Sequence, residues 1–304
     1  MLYGMLQALP FLALMILPTL VAFGMVLTWK RWFRNRNRRS PLTSELLRPP
    51  GYGLQEKIDE LGIDIDGYLF VIVVMPMMFY GLWLQQRVFI DLTIKPVNGV
   101  SFIIAAVLMY VYVLVKLMKV VKKRLRYREA LSGEFATAQL LEPVIADGGR
   151  VFHDVQATGF NIDHVVVSPG GVFTIETKHR LKSTKGLASE VAKVRYDGKA
   201  LHFPGWVEAK PITQARSQAE WLPKALTKST GDSVTVRPVV ALPGWYVERT
   251  GRSDVNVINP KNVSFMLKLL DESSIPEDKR KRISYQLEQL CRLPDLSKLG
   301  TKAQ

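Results

Sequence analysis

Three long apolar stretches dominate the first part of the chain. Residues 6–29, 68–84 and 97–115 contain no Asp, Glu, Lys or Arg. Because a helix needs about 20 apolar residues to cross about 30 Å of hydrocarbon, each stretch predicts a membrane-spanning helix. Two alternatives stay open. The first stretch is also compatible with a signal peptide, and the other two with a re-entrant pair or a buried hairpin of a soluble protein.

Cations flank these stretches unevenly. Segments 30–48 and 116–128 each contain seven Lys or Arg and together only one acid, whereas loop 85–96 contains two cations and one acid. Because cytoplasmic loops are enriched in Lys and Arg, the pattern predicts a multi-pass protein of a bacterial-type inner (cytoplasmic) membrane. Its N-terminus would lie outside and everything after residue 116 in the cytoplasm. The lipid bilayer, and anionic lipid headgroups at the basic segments, are then expected partners.

A turn-rich break separates the first basic segment from the second apolar stretch. Residues 49–53 read Pro-Pro-Gly-Tyr-Gly, which is typical of a turn. The following residues, 54–61, predict a short amphipathic helix at the membrane interface.

Composition narrows the classes of function. The 304 residues are 48% apolar, carry a net charge of +14 and include a single cysteine, Cys291, so an internal disulfide or a cysteine-based zinc site is excluded. Residues 129–304 contain 24 cations and 20 acids, a net charge of only +4. Most of the net positive charge therefore lies in the segments that flank the apolar stretches, so it is only a weak indication of nucleic-acid binding.

The pattern divides the chain into a membrane region, 1–128, and a soluble α/β domain, 129–304. A helix is expected first, then three strands, a hairpin around Asp197-Gly198, a second helix, two strands and two final helices. The expected ranges are, in order, 132–145, 151–155, 162–167, 172–177, 194–203, 211–227, 234–242, 255–258, 261–271 and 277–291.

Charged residues at the end of two buried strands need an explanation. A two-residue turn that pairs Ser168 with Gly171 places Asp163 opposite Glu176, and Lys178 on the same face as Glu176. A bulge would move Asp163 to the other face. Two opposed carboxylates are ligands for a hard divalent ion such as Mg²⁺. The alternative is a structural ion pair or an exposed strand end, with Asp163 capping a turn.

These residues resemble a known family. The matching motifs are Gly133-Glu134, Ile162-Asp163-His164-Val165, Gly170, Ile175-Glu176-Thr177-Lys178, and Pro211 with Gln214. They look like the NERD, or nuclease-related, domain over roughly residues 131–242. That family is similar to restriction-endonuclease-like phosphodiesterases, so the resemblance implies an α-β-β-β-α-β cytoplasmic domain behind three transmembrane helices.

The resemblance implies roles for individual residues. Asp163 and Glu176 would ligate Mg²⁺ or Mn²⁺, the Thr177 carbonyl would be a third oxygen donor, and Lys178 would assist the attacking water. The substrate implied is DNA.

Two further residues and one departure follow from the same resemblance. Glu134 would be an additional metal ligand or would accept a hydrogen bond from a group next to the ligands. Gln214 would contact the substrate or orient Lys178. After Lys178 the chain takes a long route to Tyr196 where a short Gly-then-Trp hairpin is expected. His164 points to the opposite face from Asp163 and is expected to be a packed residue.

Two hypotheses result. The chain is either a membrane-anchored, metal-dependent nuclease in DNA processing, or a catalytically inactive module that binds nucleic acid or a protein partner at the membrane.

Overall fold

Two compact units make up the chain. The computed structural model describes residues 21–22, 24–29, 46–89, 99–184, 192–231, 233–266 and 275–293. One unit comprises Met1–Ser44 with Leu61–Lys122, and the other comprises Glu45–Glu60 with Lys123–Gln304. Residues 21–22 and 24–29 are helical, and the rest of the predicted helix 6–29 lies outside the described residues.

Two of the described helices are long and apolar enough to cross a membrane. Helix α1 spans Tyr52–Phe89 and helix α2 spans Gly99–Leu140. Few side chains of their apolar windows are buried, and large ones such as Val73 and Leu108 are exposed. A core helix of a soluble protein would bury such side chains, so their exposure is a feature shared with membrane helices.

Both helices are longer than the sequence pattern predicts. The expected interfacial helix 54–61 and apolar stretch 68–84 form one helix, α1, with Pro76 inside it. Apolar stretch 97–115, from its first described residue Gly99, is likewise continuous in one helix, α2, with residues 132–140 of the expected helix 132–145. A short helix α3, Glu142–Ala146, follows. Both predicted separations were wrong. In α2 the reason is that Lys, Arg, Leu and Met, which make up ten of the thirteen residues 116–128, are strong helix formers.

The larger sheet has five strands. Strands β1 (Arg150–Gln156), β2 (Asn161–Ser168) and β3 (Gly171–Thr177) confirm the three strands expected after the first helix. Two later strands, β7 (Val236–Ala241) and β9 (Asn256–Ile258), complete the order β1-β2-β3-β7-β9. The first three strands pair antiparallel, whereas β3, β7 and β9 run parallel.

A smaller sheet has the order β6-β5-β4-β8. The expected hairpin is confirmed: β4 (Lys193–Tyr196) and β5 (Leu201–Phe203) pair antiparallel across Asp197-Gly198, where Gly198 has φ +92°. Strands β6 (Trp206–Glu208) and β8 (Tyr246–Arg249) were not predicted. Each is only three or four residues long, and at least half of its residues are exposed, so no alternation of apolar and polar residues indicates a strand.

Helices cover both faces of the larger sheet. On one face Val165 packs with Leu222 of α4 (Lys210–Thr230) and Ile283 of α5 (Glu277–Leu290). On the other face Val166 packs with Leu141 beside α3. Of the two final helices expected from the sequence, 277–291 is confirmed by α5. The described part of 261–271 contains only a 3-10 turn, Ser264–Met266.

Candidate active site

The β2–β3 hairpin brings the first two candidate residues together. Ser168 pairs with Gly171, and the register continues without a bulge to the pair His164–Ile175. Asp163 and Glu176 are the next residues on the two strands, so they lie opposite each other, as the turn predicts. Glycine suits the turn because Gly171 has φ +144°.

Glu176 is the most enclosed of these carboxylates. It is 4% exposed. The Lys178 ammonium forms an ion pair with one carboxylate oxygen, and the Gln218 side-chain amide donates a hydrogen bond to the other. Lys178 therefore lies on the Glu176 face, as period-two alternation predicts.

Asp163 accepts a hydrogen bond from the backbone N–H of Thr177 at 2.7 Å. Burial raises the pKa of Asp163 well above its usual range, and the negative charges of Glu176 and Glu134 add to that rise. The Lys178 charge and the Thr177 hydrogen bond oppose the rise without cancelling it. Asp163 thus lies where an added positive charge would stabilise its ionised form.

Helix α2 supplies a third carboxylate. Burial, and then the charges of Asp154 and Glu176, raises the pKa of Glu134 to about 7. The residue before it explains how the helix comes so close: a Cβ on Gly133 would lie 2.5 Å from the Cβ of His179, which only glycine avoids. Glu134 lies in α2 well beyond the apolar stretch 97–115.

Helix α4 brings to this carboxylate cluster a glutamine that the sequence did not single out. Gln218, one turn after Gln214, makes the contact with Glu176. Gln214 instead lines a cavity of about 330 Å³ that Gln218 also borders. The i, i+4 spacing puts both side chains on one face of the helix, and this spacing could have indicated Gln218 as well.

A second buried charged group was missed entirely. Arg48 binds Asp154 at 2.8 Å, and the Asn161 side-chain amide donates to the other Asp154 oxygen at 2.8 Å. In the sequence Arg48 is only one of the seven Lys and Arg residues of segment 30–48, and nothing in the local pattern distinguishes it. The backbone of residues 46–48 also bonds to residues 291–293, which fixes this segment against the end of α5.

Histidines lie on the other face of the sheet. The Nδ1 atoms of His164 and His153 share a hydrogen bond of 2.8 Å, and His164 is fully buried. His164 is thus packed on the face opposite Asp163, as expected.

The donor chemistry of the cluster suits a hard divalent cation. The cluster has three buried or half-buried carboxyl groups, Asp163, Glu176 and Glu134, and one ammonium group, so it would carry excess negative charge when all three are ionised. Within the described part of the chain, however, no three His, Cys, Asp or Glu side chains already enclose a position for a metal ion.

Comparison with known proteins gives one match. Residues 130–243 match the family model described as the nuclease-related domain, NERD. The matched range contains β1–β3, helix α4 and all of the candidate residues Glu134, Asp163, Glu176 and Lys178. No curated protein and no solved structure matches the chain.

Proposed function

Starting from the nuclease-related domain that residues 130–243 form, we propose that this protein is a membrane-anchored, metal-dependent nuclease that hydrolyses phosphodiester bonds in DNA. One observation carries the proposal. Within the matched range, the charges of Asp163, Glu176 and Glu134 act on one another and are opposed by the one ammonium group of Lys178, and burial is the main cause of the raised pKa values of Asp163 and Glu134. Such perturbed carboxylates occur preferentially at functional sites.

Asp163 and Glu176 would hold the metal, with the Thr177 carbonyl and Glu134 as further oxygen donors. A bound Mg²⁺ or Mn²⁺ supplies polarisation of the phosphodiester and a lower pKa of the attacking water. Lys178 contributes the charge of its ammonium group to a phosphoryl oxygen and orients the water from the Glu176 side. Gln218 holds Glu176 in place by its amide hydrogen bond.

The membrane part of the proposal rests on α1 and α2, which have the length and hydropathy of spanning helices. The excess of Lys and Arg in segments 30–48 and 116–128 supports a cytoplasmic location for the nuclease-related domain. With the stretch 6–29 as a third span, the N-terminus lies outside. Tethering at a bacterial-type inner membrane would confine cleavage to DNA near that membrane.

The test uses the full chain purified in detergent. A fragment that starts at residue 129 would lose Arg48 and leave Asp154 buried without its cation. Plasmid DNA, single-stranded DNA and RNA are incubated with Mg²⁺, Mn²⁺ or EDTA. We expect metal-dependent cleavage of DNA that Lys178→Ala reduces by about 10²–10³-fold, since it removes one charge that stabilises the transition state.

Lys281→Ala is the matched control, because Lys281 is an exposed lysine whose pair is Glu277. Lys281→Ala should melt at nearly the same temperature as the wild type, whereas Lys178→Ala leaves the buried Glu176 carboxylate without its cation and should melt lower, so cleavage is compared at a temperature at which both variants are folded. Cleavage by Lys178→Ala at the rate of the Lys281→Ala control would contradict the proposal.

A catalytically inactive binding module is the second candidate function. The observation that favours it is that both oxygens of Glu176 are already occupied, one by Lys178 and one by Gln218. Millimolar Mn²⁺ distinguishes the two candidates, because a ligand of the native state raises the melting temperature by mass action. A rise favours the nuclease, and no rise together with no cleavage favours the module.

A further inference from the structure

A cavity of about 330 Å³ adjoins the carboxylate cluster. One wall is the turn between β1 and β2, and the other is one face of α4. Its lining residues are Phe160, Asn161, Lys210, Thr213, Gln214, Ser217 and Gln218. Gln218 belongs to both places, since the same side chain borders the cavity and binds Glu176.

Gln218 carries a buried acceptor without a donor. The residue is 4% exposed, and its Oε1 has no hydrogen-bond partner among the described residues. The orientation of the amide is fixed, because the Glu176 carboxylate can only accept and therefore requires the Nε2 side. An unsatisfied buried acceptor is costly, so this atom fits a ligand that brings an N–H or O–H group.

The other walls offer an aromatic ring and unused polar groups. Phe160 is 36% exposed, and its ring meets the Trp221 ring edge to face, with 5.8 Å between the ring centroids. The side chains of Lys210, Thr213 and Gln214 form no hydrogen bond or ion pair with another described residue. The cavity thus combines a stacking surface, a cation and several hydrogen-bonding groups.

This combination matches a nucleotide. Exposed aromatic rings stack on unpaired bases, and a lysine binds the phosphate. Every base carries an amino or imino N–H that could satisfy Gln218 Oε1, so the site would tolerate different sequences. A base within a duplex is stacked and paired, and therefore cannot present its face to Phe160.

We propose that this cavity binds one unpaired nucleotide of the strand that is cut, with its base on Phe160 and its phosphate at Lys210. The inference rests on the proposed nuclease function and specifies its substrate: a single strand or an unpaired end, in preference to intact duplex. Gln218 links the occupied cavity to Glu176 through one side chain.

The test measures binding separately from cleavage. The full chain in detergent with EDTA, which prevents metal-dependent cleavage, is titrated into a single-stranded DNA oligonucleotide that contains one 2-aminopurine, and into the matching duplex. We expect the wild type to prefer the single strand. Phe160→Ala should weaken single-strand binding by about tenfold, as loss of one stacked base does.

Lys210→Ala should weaken single-strand binding and reduce its salt dependence, with the slope of log K against log salt changing by roughly 0.7. Phe160→Tyr keeps the stacking ring and should bind like the wild type. Matched controls are Tyr285→Ala for an exposed aromatic residue and Lys224→Ala for an exposed lysine of α4. Neither control should change binding.

The outcomes separate the two proposals. Equal wild-type binding to single strand and duplex, or binding by Phe160→Ala and Lys210→Ala equal to the controls, overturns the cavity inference. Metal-dependent cleavage lost in Lys178→Ala would still uphold the nuclease. Conversely, absent cleavage with single-strand binding that depends on Phe160 and Lys210 supports the cavity and points to the binding module. Because Phe160→Ala also removes a contact with Trp221, its melting temperature is measured beside that of Phe160→Tyr.

Discussion

Two clusters of buried charged side chains lie next to each other in the unit that contains the nuclease-related domain. They differ in how far their charges are balanced. In the first, Arg48 and Asn161 satisfy both oxygens of Asp154, and the side chains of Arg48 and Asp154 are 10% and 7% exposed. In the second, three carboxylates share the single ammonium group of Lys178. The first group is balanced, whereas the second would carry excess negative charge with all three carboxyl groups ionised, and the raised pKa values of Asp163 and Glu134 favour their protonated forms.

The difference separates a structural ion pair from a candidate site. Asp154 has φ +48°, the only positive value at a non-glycine residue in the described part of the chain, and the contacts with Arg48 and Asn161 hold it there. At Asp163 the Lys178 charge and the Thr177 hydrogen bond offset the effect of burial only in part, so its pKa stays raised. The balanced pair needs no further ligand, whereas a bound cation would stabilise the ionised form of the unbalanced cluster.

The largest effect should come from breaking the balanced group. Arg48→Ala leaves the Asp154 carboxylate buried without its cation and should lower the free energy of unfolding by about 3–5 kcal/mol. Chemical denaturation of the full chain in detergent measures this. Adding Asp154→Asn to Arg48→Ala should recover part of the loss, and a double variant as unstable as Arg48→Ala alone would contradict the ion-pair interpretation.

Glu134 should make stability depend on pH in the unbalanced cluster. The unfolded chain releases this proton near pH 4.5, whereas the folded protein holds it to about pH 7. The folded state therefore binds more protons in this window, and stability should fall as pH rises through it, by about 3 kcal/mol in metal-free buffer. Glu134→Gln should flatten that part of the curve. An unchanged slope in the variant would show that another group is responsible.

Asp163→Asn should raise the free energy of unfolding, whereas Arg48→Ala should lower it. The amide oxygen can still accept the Thr177 N–H, while the repulsion from Glu176 and Glu134 disappears. We expect a gain of about 1–2 kcal/mol in metal-free stability at neutral pH. Under the proposed function the variant should also lose cleavage and the rise in melting temperature with Mn²⁺. Destabilisation on this substitution would mean that the carboxylate is structural.

The smallest effect should come from an exposed ion pair of good geometry. Arg216 and Asp254 form two hydrogen bonds of 2.8 and 2.7 Å, but both side chains are largely exposed. Because solvent screens such pairs, Asp254→Asn should change the free energy of unfolding by less than about 1 kcal/mol. A loss as large as that of Arg48→Ala would show that burial is not what distinguishes the balanced group.

Local patterns predicted the hairpin of the site well. The turn after Ser168 sets the register of β2 and β3, and that register alone determines that Asp163 faces Glu176. Consecutive valines in β2 place apolar side chains on both faces of the strand, which predicts a strand covered on both sides. Val165 packs on one face and Val166 on the other, which confirms this prediction. These features depend on neighbours in sequence, so the sequence displays them directly.

Helix continuity and helix contacts were harder to predict. The charged residues 116–128 mark the end of an apolar stretch, but they are also good helix formers, so α2 continues through them to Leu140. Which glutamine of α4 reaches Glu176 depends on the rotation and height of that helix against the sheet. The helical spacing marks both Gln214 and Gln218 as candidates, but only the packed structure decides that Gln218 makes the contact.

The sequence by itself determined the apolar stretches, the strand order of the hairpin and the residue types Asp163, Glu176 and Lys178 that make a nuclease-like interpretation possible. Only the tertiary structure decided that Arg48, more than a hundred residues before Asp154, balances it, and that Glu134 enters the cluster from α2. The physical reason is range. Turn geometry and side-chain alternation act between residues close along the chain, whereas the balance of buried charge depends on residues that only folding brings together.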